Sequence, residues 1–203
     1  MTTAATLPRR PNEAKRRFAL VEAAESIFLA QGYGATSMDD VAQSVGMSKK
    51  TLYQLFPSKE ALFEAVVEHF CAPKQAEPEP AVPGDRAALE RLLGDIARHI
   101  LSLRSVALFR VIASEVKRAP ELAAAVERSR GRKTGALERW LAAQAATGWL
   151  RIASPEEAAG MLIGMVIGEP HILMLLGQRP PPEEAEIAAR VRLAVSLFLD
   201  GAA

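Results

Sequence analysis

The residues best suited to chemistry lie together between Ser37 and Phe56, in the run Ser-Met-Asp-Asp-Val-Ala-Gln-Ser-Val-Gly-Met-Ser-Lys-Lys-Thr-Leu-Tyr-Gln-Leu-Phe. On a helix opening at Ser48, Leu52 and Phe56 fall four apart and point inward. That leaves Lys49, Lys50, Thr51, Tyr53 and Gln54 on the outer face. Ammonium, hydroxyl, phenol and amide groups are the donors that meet phosphate oxygens and base edges. A carboxylate there would repel phosphate, and Met47 to Lys59 holds three lysines and no carboxylate. Ser58 caps a further helix that Lys59 opens. Backbone N–H groups and a lysine then converge as a seat for phosphate.

Other chemistries have little to stand on. Ser114-Glu115-Val116-Lys117 has the Ser-x-x-Lys spacing of an acyl-transfer nucleophile, but on an amphipathic helix with no partner motif. His69, His99 and His171 lie far apart and show no metal-ligand spacing. Cys71 is the sole cysteine, which excludes an intramolecular disulfide framework and a zinc site built on several thiolates. We therefore expect no enzyme, no metal and no cofactor.

The elements that must hold the donor face are helical. Ser37 caps a short helix, with Asp40 three residues on as its capping-box partner, and Val41, Ala42 and Val45 form the inner side. Gly46 supplies the turn, Met47 plugs the corner, and Ser48 caps the donor-bearing helix. This is a helix-turn-helix pattern. Before it, Leu20, Ala24, Ile27 and Phe28 repeat on one helix face, and Gly32 and Gly34 stop that helix. The prolines of Ala72 to Gly84 read as a linker or long loop. Beyond it the spacing predicts helices over about 85–103, 105–118, 120–147, 154–177 and 182–200. No run alternates as a strand does, so the fold class is all-α. The expected organisation is a basic arm (1–13), a three-helix helix-turn-helix DNA-binding domain (14–71), a Pro-rich linker (72–84), and a larger helical domain (85–203). Seven of the eleven aromatic residues precede the linker, where bulky rings fill a small core efficiently.

In the larger domain Gly160, Gly164 and Gly168 recur every four residues, a ridge that lets two helices approach closely. With Leu193, Leu197 and Phe198 of the last helix it suggests a four-helix dimer interface, packing within one subunit being the alternative. Leu103, Phe109, Ile112, Trp140, Met161 and Met165 are candidates for lining a cavity between the middle helices; each could equally be ordinary core.

The spaced pattern Ser37-x3-Val41-Ala42-x2-Val45-Gly46-Met47-Ser48-x2-Thr51-Leu52-Tyr53-x2-Phe56-x-Ser58-Lys59-Glu60-x-Leu62 resembles the N-terminal domain of TetR-family transcriptional regulators over roughly residues 14 to 70. The resemblance implies an all-helical homodimer whose C-terminal domain binds a small ligand that releases operator DNA. It implies a base or phosphate contact for Thr51, and phosphate contacts for Tyr53, for Lys59 at the start of the fourth helix and for Ser37 at the start of the second. Two positions depart from the usual pattern. Lys50 stands where a small residue is common, and Leu55 where a polar ring is frequent; leucine cannot donate to phosphate but can touch a thymine methyl. Arg118-Ala119-Pro120-Glu121-Leu122 is loosely similar to the AefR-type subgroup of C-terminal domains.

Charge bears on this in an instructive way. The chain holds 25 Lys+Arg against 24 Asp+Glu, a net charge of +1, which argues against binding nucleic acid by bulk charge. Within residues 1–71, however, every Lys and Arg falls in Arg9 to Arg17 or Met47 to Lys59. Ala158 to Leu176 is almost wholly apolar, yet Glu169, Pro170 and His171 interrupt it, so a buried helix is expected and no membrane partner. No secretory leader is visible, and a cytoplasmic location is expected. The expectation is a homodimeric repressor that binds a palindromic operator in double-stranded DNA and is released by a small apolar or amphipathic effector. The alternatives are an activator or effector-independent regulator and, from another class, a helical small-molecule carrier without a DNA role.

Overall fold

The computed structural model describes residues 11–71 and 84–202. Among them the chain forms nine α-helices and no strand: α1 (Pro11–Gln31), α2 (Met38–Ser44), α3 (Lys49–Leu55), α4 (Lys59–Cys71), α5 (Arg86–Ile100), α6 (Leu103–Glu115), α7 (Glu121–Ala146), α8 (Pro155–Leu175) and α9 (Glu184–Ala202). The all-α expectation holds, with every later helix near its expected place, although the stretch up to Cys71 carries four helices, α1–α4, where three were expected. Arg9, Arg10 and the Pro-rich segment up to Pro83 lie outside the described residues, whereas positions 11–13 of the expected arm are already in α1.

The chain divides into two compact units, Met1–Phe70 with Ser114–Val126, and Cys71–Ala113 with Glu127–Ala203. Thus the end of α6 and the first turns of α7, expected in the C-terminal domain, group with the first unit. No periodic signal marks such a long-range association.

The first unit is built on rings and branched side chains. Leu20, Ala24 and Phe28 of α1 are buried at the spacing of one helix face, with Ile27 half-buried beside them. They meet Val41 and Ala42 of α2, Leu52 of α3, and Leu62, Phe63, Val66 and Phe70 of α4 in the interior. Phe28, Tyr33 and Phe63 form a triangle with centroids 5.3–5.6 Å apart, within the range in which tilted and edge-on rings attract. Phe18 stays exposed and packs edge-on against His69. Gly32, at φ +88°, lets the chain leave α1 in a conformation that a side chain would strain.

The second unit packs α5, α8 and α9 around a core that includes Leu93, Ala97, Leu137, Trp140, Leu162, Val166, Val191 and Val195. Ser154 caps α8 by accepting from the Glu157 N–H (3.2 Å), and Pro155 occupies the first turn, where its missing N–H costs nothing. Pro170 sits inside α8 and cannot donate to the Val166 carbonyl four residues back. Arg190 of α9 fills that gap: its Nε donates to Val166 O at 2.9 Å. Arg110 serves the end of the same helix, donating to the carbonyls of Leu175 (3.0 Å) and Met174. By length and composition α8 could cross a membrane, but Ala158, Ala159, Leu162, Val166, Pro170 and Met174 are buried in this bundle.

Candidate nucleic-acid interface

The helix-turn-helix is held by local hydrogen bonds that its sequence dictates. Ser37 Oγ accepts from the Asp40 N–H (3.2 Å) and Asp40 Oδ2 accepts from the Ser37 N–H (2.9 Å), a complete capping box. The Ser37 backbone N–H foremost, and then the Ser37 hydroxyl, hold the Asp40 carboxyl below the usual range. In the turn, Gly46 adopts φ +64°, and the next amide, Met47 N–H, reaches back to Ala42 O at 2.9 Å. Ser48 Oγ accepts from the Thr51 N–H (3.1 Å) and lies 2.9 Å from the Thr51 hydroxyl. The cap that starts α3 therefore also orients the hydroxyl of its first turn.

The donor face is accessible. Leu52 and Phe56 are buried, which turns Lys49, Lys50, Tyr53 and Gln54 to solvent and leaves Thr51 half-buried. Tyr53 is 43 % exposed, unlike Tyr33 at 4 %. Lys49 is already paired: its Nζ stands 2.9 Å from Asp39 Oδ2 of α2, and that hydrogen bond raises the ammonium's pKa. The far end of α3 is held by α1, since Arg17 Nη1 donates to Leu55 O (2.9 Å) and its guanidinium lies 4.2 Å above the Phe56 ring.

At the start of α4, Ser58 Oγ accepts from the Ala61 N–H (3.2 Å). Lys59 Nζ turns toward the loop before α2, donating to Tyr33 O (2.9 Å) and Thr36 O (3.0 Å) with the Tyr33 ring 4.4 Å beneath it. In the DNA-free chain this ammonium braces the loop. Three acids crowd the same loop. Tyr33 Oη shares its one proton between Glu60 Oε1 (3.5 Å) and Glu121 Oε1 (3.4 Å), and Glu115 Oε1 accepts from the Gly34 N–H (3.4 Å). Burial, then the charges of Glu60 and Glu121, push the Tyr33 phenol well above its ordinary range. The Ser58 hydroxyl is the main group holding Glu60 low. No group of three metal-ligating side chains converges among the described residues.

Comparison with known proteins places this geometry. Residues 20–66 match the family of bacterial regulatory proteins of the tetR type, and residues 87–201, more than half of the chain, match the C-terminal domain of AefR-like transcriptional repressors. The chain belongs to the TetR family. A solved TetR-fold neighbour, the flavonoid-responsive regulator FrrA, is 32 % identical with a TM-score of 0.73, over 93 % of this chain and 97 % of that one. The transcriptional activator FasR of Mycolicibacterium smegmatis is 44 % identical over 54 residues, 27 % of this chain and 25 % of that protein. The transcriptional repressor ComR of Escherichia coli is 33 % identical over 79 residues, 39 % and 38 % of the two chains. These two curated relatives are thus matched over well under half of their own length.

As a TetR-family regulator the chain carries a DNA-binding helix-turn-helix, and the structure brings Ser37, Ser48, Lys49, Lys50, Thr51, Tyr53, Gln54 and Lys59 into one unit. The cavity candidates are scattered instead. Trp140 and Ile112 are buried, while Leu103 (69 % exposed), Met161 (69 %), Met165 and Phe109 face solvent. Met161 and Met165 share their face of α8 with Gly160 and Gly164, which a helical projection of positions 160–165 reveals. A Cβ built at Gly160, Gly164 or Gly168 meets nothing within 4 Å, so the ridge is open rather than packed within the subunit. Leu193 and Leu197 are exposed as well. Sequence reasoning missed the roles of Arg17, Asp39, Glu115 and Glu121, whose partners become neighbours only in the folded chain.

Proposed function

We propose that this TetR-family regulator is a homodimeric, ligand-responsive repressor in which α3 is the recognition helix. The observation that carries this is the solvent-facing set Lys49, Lys50, Tyr53 and Gln54 on a capped helix without a carboxylate. Thr51 joins them at the first turn, and Ser37 stands at a helix start where phosphate is bound, while Lys59, at the start of α4, braces the loop before α2. Each subunit reads one half of a palindromic operator, because two-fold protein symmetry selects two-fold DNA symmetry. The open glycine ridge of α8 with Met161, Met165, Ile172, Leu193 and Leu197 supports dimerisation: an apolar face of this kind is costly to leave in water.

The similarity of residues 87–201 to AefR-like repressors supports repression, while likeness to FasR, over 54 residues only, keeps activation as the second reading. The likeness to a flavonoid-responsive regulator supports an apolar, aromatic effector carrying hydrogen-bonding oxygens. Trp140 supports the same class: its indole Nε1 is buried without a hydrogen-bond partner, a donor that an acceptor oxygen on such an effector would satisfy. Release follows if the effector prefers a conformation in which the two recognition helices no longer match the half-sites.

A mobility-shift assay on the DNA flanking the protein's own gene, with and without naringenin as a flavonoid probe, tests the reading. Binding at low salt that Lys50→Ala weakens supports it; no binding by the wild-type chain refutes it. A promoter reporter in a deletion strain gives the sign of regulation.

A further inference from the structure

Arg17 reads as part of the basic N-terminal charge, yet it lies against α3. Its Nη1 donates to Leu55 O at 2.9 Å, and its guanidinium carbon stands 4.2 Å from the Phe56 ring centroid. Recognition demands that the seven residues of α3 be held rigidly, and so short a helix does not sustain itself in water. Its first turn is secured by Ser48. Its last turn ends without a glycine cap, at Phe56 in an extended conformation (φ −137°). The final carbonyls of a helix lack intrahelical donors and form the negative end of its dipole. A guanidinium answers both needs there, and its cation–π contact with the Phe56 ring, 4.2 Å away, holds it in place.

We propose that Arg17 is a positioning residue for operator recognition. From α1 it fixes the C-terminal end of α3, so that the donors from Lys49 to Gln54 meet the base edges together. The assignment rests on α3 being the recognition helix. Leu55 supplies its carbonyl whatever its side chain, so the clamp is independent of the leucine that departs from the usual family pattern.

Two variants of the full-length chain test this, Arg17→Met, which keeps the stem, and Arg17→Lys, which keeps the charge but not the planar fork. In the absence of DNA, amide hydrogen exchange at Thr51 to Phe56 quickens about tenfold in Arg17→Met, while exchange in the middle of α4 is unchanged. Binding is then compared on a duplex selected from random DNA by the wild-type chain and on poly(dI-dC). Both variants lose about tenfold or more on the selected duplex and less than about twofold on poly(dI-dC), with the salt slope unaltered. Parallel losses on both DNAs with a slope lower by about 0.9 identify a phosphate ligand and overturn the proposal. Full affinity in Arg17→Lys overturns it too, since charge alone would then suffice. Unchanged exchange in α3 overturns the clamp itself. A wild-type chain that selects no duplex overturns the recognition role, with the clamp still decided by exchange.

Discussion

Lys59 offers the sharpest test of what the first unit's cations do. Replacing it by Met keeps the stem over the Tyr33 ring and removes the ammonium that donates to Tyr33 O and Thr36 O. A hydrogen bond from a charged donor contributes about 1.5–3 kcal/mol, and a stripped buried acceptor costs about 1–3 kcal/mol. Lys59 is only half-buried, so water recovers part of each loss. Taking roughly 1 kcal/mol for each carbonyl gives a destabilisation of ~2 kcal/mol. For a unit of this size that lowers the melting temperature by ~10 °C. Both tryptophans, Trp140 and Trp149, belong to the second unit, so their fluorescence reports that unit alone. Far-UV circular dichroism follows both. Lys59→Met should therefore shift a dichroism transition with little change in the fluorescence melt. DNA affinity, measured well below that transition, should keep its salt slope. An unshifted transition together with a slope reduced by about 0.9 would refute the brace and leave Lys59 as a phosphate ligand.

Three further outcomes follow from the same structure. The Tyr33 phenol is raised by burial and by Glu60 and Glu121, so above about pH 10 the unfolded chain releases a proton that the folded chain keeps. Stability then falls with rising pH by up to about 1.4 kcal/mol per pH unit, and urea midpoints across alkaline pH should show this component in the wild type and not in Tyr33→Phe. Arg190→Met strips the donor from Val166 O beside Pro170 and should lower the tryptophan-monitored stability by about 1–2 kcal/mol; a change under about 0.3 kcal/mol would mean that water serves the gap equally well. Gly164→Trp has open space around its Cβ within one subunit, so folding should survive while sedimentation shows monomer; a dimer of unchanged stability would place the interface elsewhere.

What was legible in the sequence is what short-range rules govern. Ser37, Gly46 and Ser48 act within three or four residues of themselves, and each performs the expected cap or turn. The buried stripe of α1 and the inward pair Leu52 and Phe56 are likewise periodic facts. Arg17 and Lys59 were legible as charges but not as braces, because their acceptors are backbone carbonyls 38, 26 and 23 residues away. Every residue type offers such a carbonyl, so composition gives no sign of it. Glu115 and Glu121 reach the loop after α1 across 81 and 88 residues, again without local trace. Periodicity also separates apolar from polar faces without saying whether an apolar face meets core, cavity or solvent. Hence Trp140 and Met161 looked alike and ended 3 % and 69 % exposed.

The ion pair between Lys49 and Asp39 bears on how fast a regulator of this kind finds its site. On the reading proposed above, Lys49 reaches DNA only by leaving a carboxylate 2.9 Å away, and that carboxylate then faces the phosphates. Random sequence offers backbone charge alone, and an internal competitor reduces the net gain from it. Such encounters become short-lived, so the chain leaves wrong DNA quickly and samples more of the genome per unit time. An operator adds base contacts that the competitor does not touch. On that reading Asp39 would shorten residence at incorrect sites, and its removal would slow the search while tightening every individual grip.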